Sequence, residues 1–416
     1  MKNINQMDLP PFLQGAEYIG SVSDLVDTML VKNTKLCMNT SSPTAHFDVG
    51  LEKQSEMITT SSNKRAFIQN NFGEINRIKK TASNEVSKLY KYIIDKKFDA
   101  WKCIKSDGKE YYVANNGTAA MWVCLESETQ QVENDKTKFI KKYQIGTYSS
   151  AGNILGISSY NFTTFSTVTA SILAYIIVHA LSILLASAID AVAETFLAAL
   201  VSGAQAVGLP ATFAYAAASL TGFIIYALIT IIIFFGILYA WDFINRKYYI
   251  NVNIYNWDKK ETWIIDKCVE DNAVTSSQTK VKDIVLPPAS PSTFTPPGFK
   301  PLTPLEELCF YVSCTWTNDS TFLQGLGMYV RFRKDNEPNT GFMWAFDCPR
   351  FGDNKHGAKN TPSHLGNYSN NAKFSDSPLN FQIALTDVKK TRVSFGLDAL
   401  SGADNNTYNV LINIDF

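Results

Sequence analysis

Two carboxylates, Asp190 and Glu194, stand four residues apart in a part of the chain almost without charge. That spacing puts both on one face of a helix. Carboxylates are costly in hydrocarbon when ionised and far cheaper when protonated, so the chemistry open to this pair is proton-coupled transfer across a bilayer. A solvated loop would accommodate the same two residues, and the sequence leaves both readings open. The other groups that could do chemistry are scattered. The four His (46, 179, 356 and 364) have no metal-ligand spacing, and the GxSxG, HExxH, P-loop and dinucleotide-glycine patterns are absent. His356 and His364 lie near Asp353 in the polar stretch GDNKHGAKNTPSHLG and read as solvated, whereas His179, in an apolar block, reads as a helix-contact residue. The seven Cys form no CxxC pair and read as mostly buried thiols, with Cys309 and Cys314 the one pair close enough in sequence to suggest a bond. We therefore expect no enzyme, no cofactor and no bound metal.

The carboxylate pair draws attention to the segment around it. From Tyr143 to Asn245 there is no Lys or Arg, and the acids there leave two uncharged runs of 47 residues, Tyr143 to Ile189 and Thr195 to Trp241. A bilayer core about 30 Å thick needs roughly 20 apolar residues in a helix. FSTVTASILAYIIVHALSILLASAI (165–189) and FAYAAASLTGFIIYALITIIIFFGILYAW (213–241) meet that length. Ile176, Ile177 and Leu184 in the first, and Ile224, Ile232, Phe234 and Phe235 in the second, are the candidate membrane-facing residues, with Asp190 and Glu194 near the tip between them. Lys141 and Lys142 before the segment, and Arg246 and Lys247 after it, put both ends on one side of a membrane. The expectation is a hydrophobic helical hairpin over 143–247.

On either side the texture is that of folded domains. Residues 1–142 read as a mixed α/β domain: Ile75, Ile78, Ala82, Val86, Leu89 and Ile93 fall at helical spacing over about 72–101, and Asn115-Asn116-Gly117 marks a β-hairpin. Residues 248–416 hold eight alternating, strand-length runs, from YYINVNIYNW to NVLINIDF, which predict an antiparallel β-sandwich. Seven of the 15 Pro crowd into residues 287–304, an extended connection. The fold class expected is thus α+β multidomain: a mixed N-terminal domain (1–142), a helical hairpin (143–247) and a sandwich (248–416). With 38 basic and 38 acidic residues and no basic block, nucleic acid is set aside as a partner. The start of the chain lacks the pattern of a secretory signal, so the expectation is a soluble protein or inclusion that is later released.

The run GFMWAFDCPRFGDNKHGA (341–358) resembles the aromatic-Trp-Asp-Cys-Pro segment of aegerolysins, and YINVNIYNWDKKETWIIDKCVEDNAV, QGLGMYVRF and NVLINIDF resemble that family's opening, middle and closing strands. The resemblance covers residues 248–416. It implies a β-sandwich that recognises membrane lipid, sphingolipids among them, forms homo-oligomers on membranes and works with a second component, as related insecticidal proteins do. Joined to an apolar hairpin, it implies a pore-forming toxin acting at a target-cell membrane. A constitutive two-span membrane protein is the alternative. Aromatic side chains suit headgroup depth, and a carboxylate can pair a headgroup cation. Trp257, Trp344, Phe346, Asp347, Phe351 and Tyr368 are the expected lipid-binding residues, with core packing as the other reading of each aromatic.

Overall fold

A computed structural model describes residues 16–22, 47–48, 54–106, 108–133, 136–164, 174–175, 177–179, 181–182, 249–275, 281, 283–290, 301, 303–318, 325–349, 353–360, 379–401 and 407–416. In chain order the elements are β1 (Glu17–Ser21), β2 (Phe47–Asp48), β3 (Gln54–Thr59), helix α1 (Ser61–Ile68) and helix α2 (Phe72–Lys96). Then come β4 (Trp101–Ser106), β5 (Lys109–Asn115), β6 (Ala119–Glu133), β7 (Lys136–Ser149) and β8 (Ile154–Thr164). The C-terminal half adds β9 (Tyr249–Asn256), β10 (Trp263–Asp271), β11 (Ala273–Thr275), β12 (Ile284–Leu286), β13 (Glu307–Asn318) and β14 (Leu326–Lys334). It closes with β15 (Gly341–Cys348), β16 (Lys355–Asn360), β17 (Asn380–Ala384), β18 (Arg392–Leu397) and β19 (Thr407–Ile414). The chain forms two compact units: residues 1–53, 79–243 and 294–305, and residues 54–78, 244–293 and 306–416. The stretches 79–243 and 294–305 of the first are thus inserted in the sequence of the second, and 1–53 precedes it.

In the first unit, β1, β4, β5, β6, β7 and β8 pair antiparallel in that order, with β2 on β8. The predicted turn between β5 and β6 forms because Asn116 Oδ1 accepts from the amides of Thr118 (3.1 Å) and Ala119 (2.9 Å), while Gly117 supplies a φ of +95°. Trp122 lies across from Gly146, and a Cβ there would stand 2.1 Å from its ring. The predicted helix runs as α2, its stripe Ile75, Ile78, Ala82, Val86, Leu89 and Ile93 wholly buried. Glu85 on α2 accepts from Ser149 Oγ (2.6 Å) and the Ala151 amide (2.9 Å), fixing the β7–β8 turn to the helix.

These strands overturn the expected α+β architecture with a helical hairpin. The described residues are mostly β, and no described helix is long and apolar enough to cross a membrane. Tyr143–Ser149 and Ile154–Thr164, the head of the first uncharged run, are strands β7 and β8. The physical reason is composition: QIGTYSS and ILGISSYNFTT lack charge but alternate β-branched, aromatic and hydroxyl residues, a pattern suited to pleated strands. Lys141 and Lys142, read as a membrane flank, sit on β7 within 3.1 Å of Glu128 and Glu126 on β6. Residues 174–175, 177–179 and 181–182 are helical and buried in this unit, and 183–248 lie outside the described residues.

The second unit is a two-layer β-sandwich. One sheet has the order β3, β13, β9, β19, β18, β17, with β11 on β13; the other has β12, β10, β14, β15, β16. All eight runs predicted after residue 248 are strands, but β9 and β19 pair parallel, so the sandwich is not wholly antiparallel. Between the sheets lie Ile250, Val252, Ile254, Trp316, Phe395 and Ile412 from one and Trp263, Val330, Phe332, Phe342, Trp344 and Phe346 from the other. Phe342 meets Phe395 edge-on across the layers, centroids 5.8 Å apart. Cys309 and Cys314 are five residues apart on β13, hence on opposite faces of one strand, which excludes a bond between them.

One ion pair stands inside this unit. Lys334 Nζ lies 2.7 Å from Asp387 Oδ2, with side chains 3% and 2% exposed, and Thr391 donates to the same carboxylate. Burial pushes the Asp387 carboxyl up, but the bonds from Lys334 and Thr391 outweigh it and hold it below the usual carboxylate value. The stabilisation is therefore complete above that usual value and is lost as pH falls through the lowered one. Asp387→Ala should cost about 3–5 kcal/mol at pH 7, because it strands a buried ammonium; urea titration measures it, and a loss below about 1 kcal/mol would contradict the account.

Candidate functional site

Successive residues of a strand face opposite ways, so β14 splits cleanly: Leu326, Met328, Val330 and Phe332 turn into the sandwich, while Gly327, Tyr329, Arg331 and Arg333 turn out. The register then defines four rows across the outer face of the five-stranded sheet. Asp271, Gly327, Asp347 and Lys355 form one, and Val269, Tyr329, Ala345 and Gly357 the next. Lys267, Arg331, Met343 and Lys359 follow, then Ile264, Arg333 and Gly341.

The rows differ in charge. Two carboxylates, Asp271 and Asp347, flank Gly327, the smallest possible neighbour. Burial pushes the Asp347 carboxyl up, the Lys355 charge across the strand pair pulls it back, and Asp271 adds to the rise. Burial, then the same two carboxylates, push the Tyr329 phenol up. One row further, Asp266, held at a β-bulge between Ile265 and Lys267, is shared by two guanidinium groups: Arg331 bonds it with two nitrogens, Nε at 2.8 Å, and Arg333 Nε is 3.3 Å away. Arg333 also lies 4.0 Å from Asp335, so the two guanidinium groups are matched by two carboxylates, and the net positive charge of this end comes from Lys267 and Lys359 in the Arg331 row; the guanidinium groups add planar N–H donors suited to a phosphate or carboxylate. The face therefore carries an anion-seeking end and a cation-seeking end with a tyrosine between them, the Gly327 and Arg331 rows lying four strand residues or about 13 Å apart.

Of the residues expected to bind lipid, Asp347 belongs to this face and is half-buried. Trp344 and Phe346 point the other way, into the core, 6.0 Å from each other, because they share the strand face of Phe342. Trp257 is buried too: its Nε1 donates to Asn413 Oδ1 at 3.0 Å, its ring lies beside Tyr255, and Lys64 Nζ stands 5.2 Å from the ring. Phe351 and Tyr368 lie outside the described residues. His356 is not a solvated side chain; it faces inward from β16 and meets Phe381 edge-on at 5.0 Å. Ile177 is helical and buried, while Ile176, Leu184, Asp190, Glu194, Ile224, Ile232, Phe234 and Phe235 lie outside the described residues. Among the described residues no cluster of His, Cys, Asp or Glu could hold a metal ion. Sequence reading missed Tyr329, Arg331, Arg333 and Asp266. The alternation in LGMYVRFRK was the available signal, since it puts the polar members of that strand on one face.

No family model and no curated protein matches this chain. Among solved structures it is similar to the lipid binding protein Nakanori, at 9% identity, 43% of this chain, 75% of that one and a TM-score of 0.28. IP-1A from Alcaligenes faecalis matches at 11% identity, 41% and 91% coverage and a TM-score of 0.21. RahU, solved in complex with Tris, matches at 11% identity, 41% and 96% coverage and a TM-score of 0.22. At these scores the sandwich rests on its own strand pairing and core.

A raised carboxyl pKa means that the folded chain holds that proton more tightly than the unfolded one, so stability declines as pH rises from the ordinary carboxylate value through the raised one. Asp347→Asn removes that decline. Its thermal midpoint should equal that of the wild type near pH 3.5 and exceed it at pH 7; a lower midpoint at pH 7 would show that Asp347 is held by its partners and not strained.

Proposed function

We propose that this protein binds membrane lipid, with the charged outer face of the five-stranded sheet meeting phosphate-bearing headgroups and the apolar run Thr195–Trp241 entering the hydrocarbon. The observation that carries the reading is that run: 47 residues without a formal charge, among them FIIYALITIIIFFGILYAW, far more apolar sequence than a surface loop accommodates in water. The basic cluster of Lys267, Arg331, Arg333 and Lys359 supports the headgroup half, because two oxygens of a phosphate diester can accept from the paired N–H groups of a planar guanidinium. The finer reading is permeabilisation: several copies assemble on a target membrane and their apolar runs breach it, in the manner of a cytolysin. Asp190 and Glu194 would make that step easier in acid, where both are neutral. The reading involves no catalysis, and a second protein component is compatible with it.

The alternative is a permanently anchored two-span protein, whose ends the basic flanks of the apolar segment would hold on one side of the membrane. With Lys141 and Lys142 engaged by Glu128 and Glu126 on a strand, no observation favours it over the first reading.

Detergent-free protein mixed with dye-loaded vesicles, with and without sphingolipid, between pH 4 and 8, tests both halves. Flotation with vesicles is expected, weakened several-fold by Arg333→Gln, and dye release is expected to rise toward pH 4. In Asp190→Asn/Glu194→Asn the pH dependence of release should flatten. Protein that stays at the bottom of the flotation gradient at every composition would refute lipid binding; flotation without release would leave binding and remove permeabilisation.

A further inference from the structure

At one corner of the sandwich the chain passes from one sheet into the other across a single residue. Strand β10 ends at Asp271, Asn272 adopts a φ of +49° with its side-chain amide donating to Gly325 O at 2.6 Å, and β11 then pairs with β13 of the opposite sheet. Among the described residues β12 covers only Trp263–Ile265, so the second half of β10 is a sheet edge there, and it reaches β13 through a side-chain bond. Trp316 Nε1 on β13 donates to Glu270 Oε1 on β10 at 2.7 Å, a direct bond between the layers. Two residues back on each strand, and on the same inward face, stand Cys268 and Cys314. Elsewhere a sandwich keeps its sheets about 10 Å apart, beyond the roughly 7 Å between Cα atoms that a disulfide spans. Here the crossing chain and the Trp316–Glu270 bond draw the two edges together.

We infer that Cys268 and Cys314 form a disulfide that staples the two sheets at this corner when the chain folds in an oxidising medium. The reaction needs a small-molecule disulfide as oxidant. One cysteine thiolate attacks it, forming a mixed disulfide and releasing one thiol; the second thiolate displaces the other, so two S–H bonds become one S–S bond and the oxidant becomes two thiols. Burial, with smaller contributions from Glu270 and Cys314, pushes the Cys268 thiol up. A protonated thiol exchanges slowly. The bond therefore forms while the corner is still open, during folding, and persists once closed. In this structure Cys268 and Cys314 are thiols, as are Cys103, Cys124, Cys309 and Cys348, which lie buried in other places. The inference concerns the framework of the sandwich and does not depend on lipid binding.

The test is a peptide map of the full chain, unfolded in urea with dithiothreitol and refolded with excess oxidised glutathione, then alkylated under denaturing conditions. A cross-linked pair of peptides containing Cys268 and Cys314, with a mass lower by two hydrogens and both cysteines protected from alkylation, is the expected result. The oxidised protein should melt roughly 5–15 °C above the reduced one, a difference that Cys268→Ser and Cys314→Ser each abolish. Full alkylation of both cysteines after oxidation, or a bond from either to a different cysteine, overturns the inference, and this readout holds whether or not the variants fold.

Discussion

Strand β9 is buried along its whole length, on both faces, and everything in the second unit is arranged around that constraint. The buried side-chain amides of a strand in this position need hydrogen-bond partners, because an unpaired one costs about 1–3 kcal/mol. The face turned into the sandwich is met by Ile250, Val252 and Ile254. The other face carries Asn251 and Asn253, and each has a specific neighbour: Thr315 Oγ1 donates to Asn251 at 2.9 Å, Asn251 donates to Asn409 at 3.2 Å, and Ser313 Oγ donates to Asn253 at 2.6 Å. These bonds match side chains on β13 and β19 to β9 at fixed positions, so they pin register on both sides of the central strand. A one-residue slip would move the asparagines into the apolar layer.

That central pairing also explains the topology. β9 and β19 open and close the sandwich and lie parallel at its middle, so the crossover between them is most of the domain. Segment 54–78, from much earlier in the chain, belongs to the same unit: β3 extends the sheet beside β13, and Asn413 donates to Phe67 O at 3.1 Å, just before the left-handed Asn70. Gly396 permits this approach, since a Cβ there would stand 2.6 Å from Asn70. A unit assembled from chain ends so far apart closes late, after long-range contacts form. The 79–243 insertion must fold without disturbing that closure.

What could be read from the sequence follows from how sharply each pattern separates inside from outside. The eight C-terminal strands alternate and were legible, as were the α2 stripe and the Asn-Asn-Gly turn. The direction of β19 against β9 was not, because pairing partners leave no local mark. Nor was the facing of β15: in GFMWAFDC both sets of alternate residues are apolar and nearly all are buried, so Trp344 and Phe346 carried no sign of pointing inward. The site face was hidden for the opposite reason. Tyr329, Arg331 and Arg333 look like ordinary surface residues until the register sets them against Asp347 and Asp266. The uncharged stretch from Tyr143 to Thr164 misled because absence of charge is not hydrophobicity; its Ser, Thr, Gly and Asn residues are polar, and their alternation belongs to strands.

The described residues of the first apolar segment, 174–175, 177–179 and 181–182, show how such sequence is held in this fold. Ala174, Ile177, Val178 and Leu181 are buried, Tyr175 and His179 stack on Phe98 at 5.7 and 4.8 Å, and Trp101 donates to Ser182 Oγ, which in turn donates to Val178 O. Each large apolar side chain buried here stabilises the fold by about 1.5–3 kcal/mol relative to water, but a bilayer offers the same side chains nearly the same gain. Transfer to lipid is then opposed less by the apolar residues than by what they leave behind. Trp101 Nε1 would lose its acceptor, and Phe98 and Trp101 would lose their cover. The polar bond from Trp101 to Ser182 thus does for the apolar run what the asparagines do for β9: it makes one location specific where the hydrophobic effect alone would be indifferent.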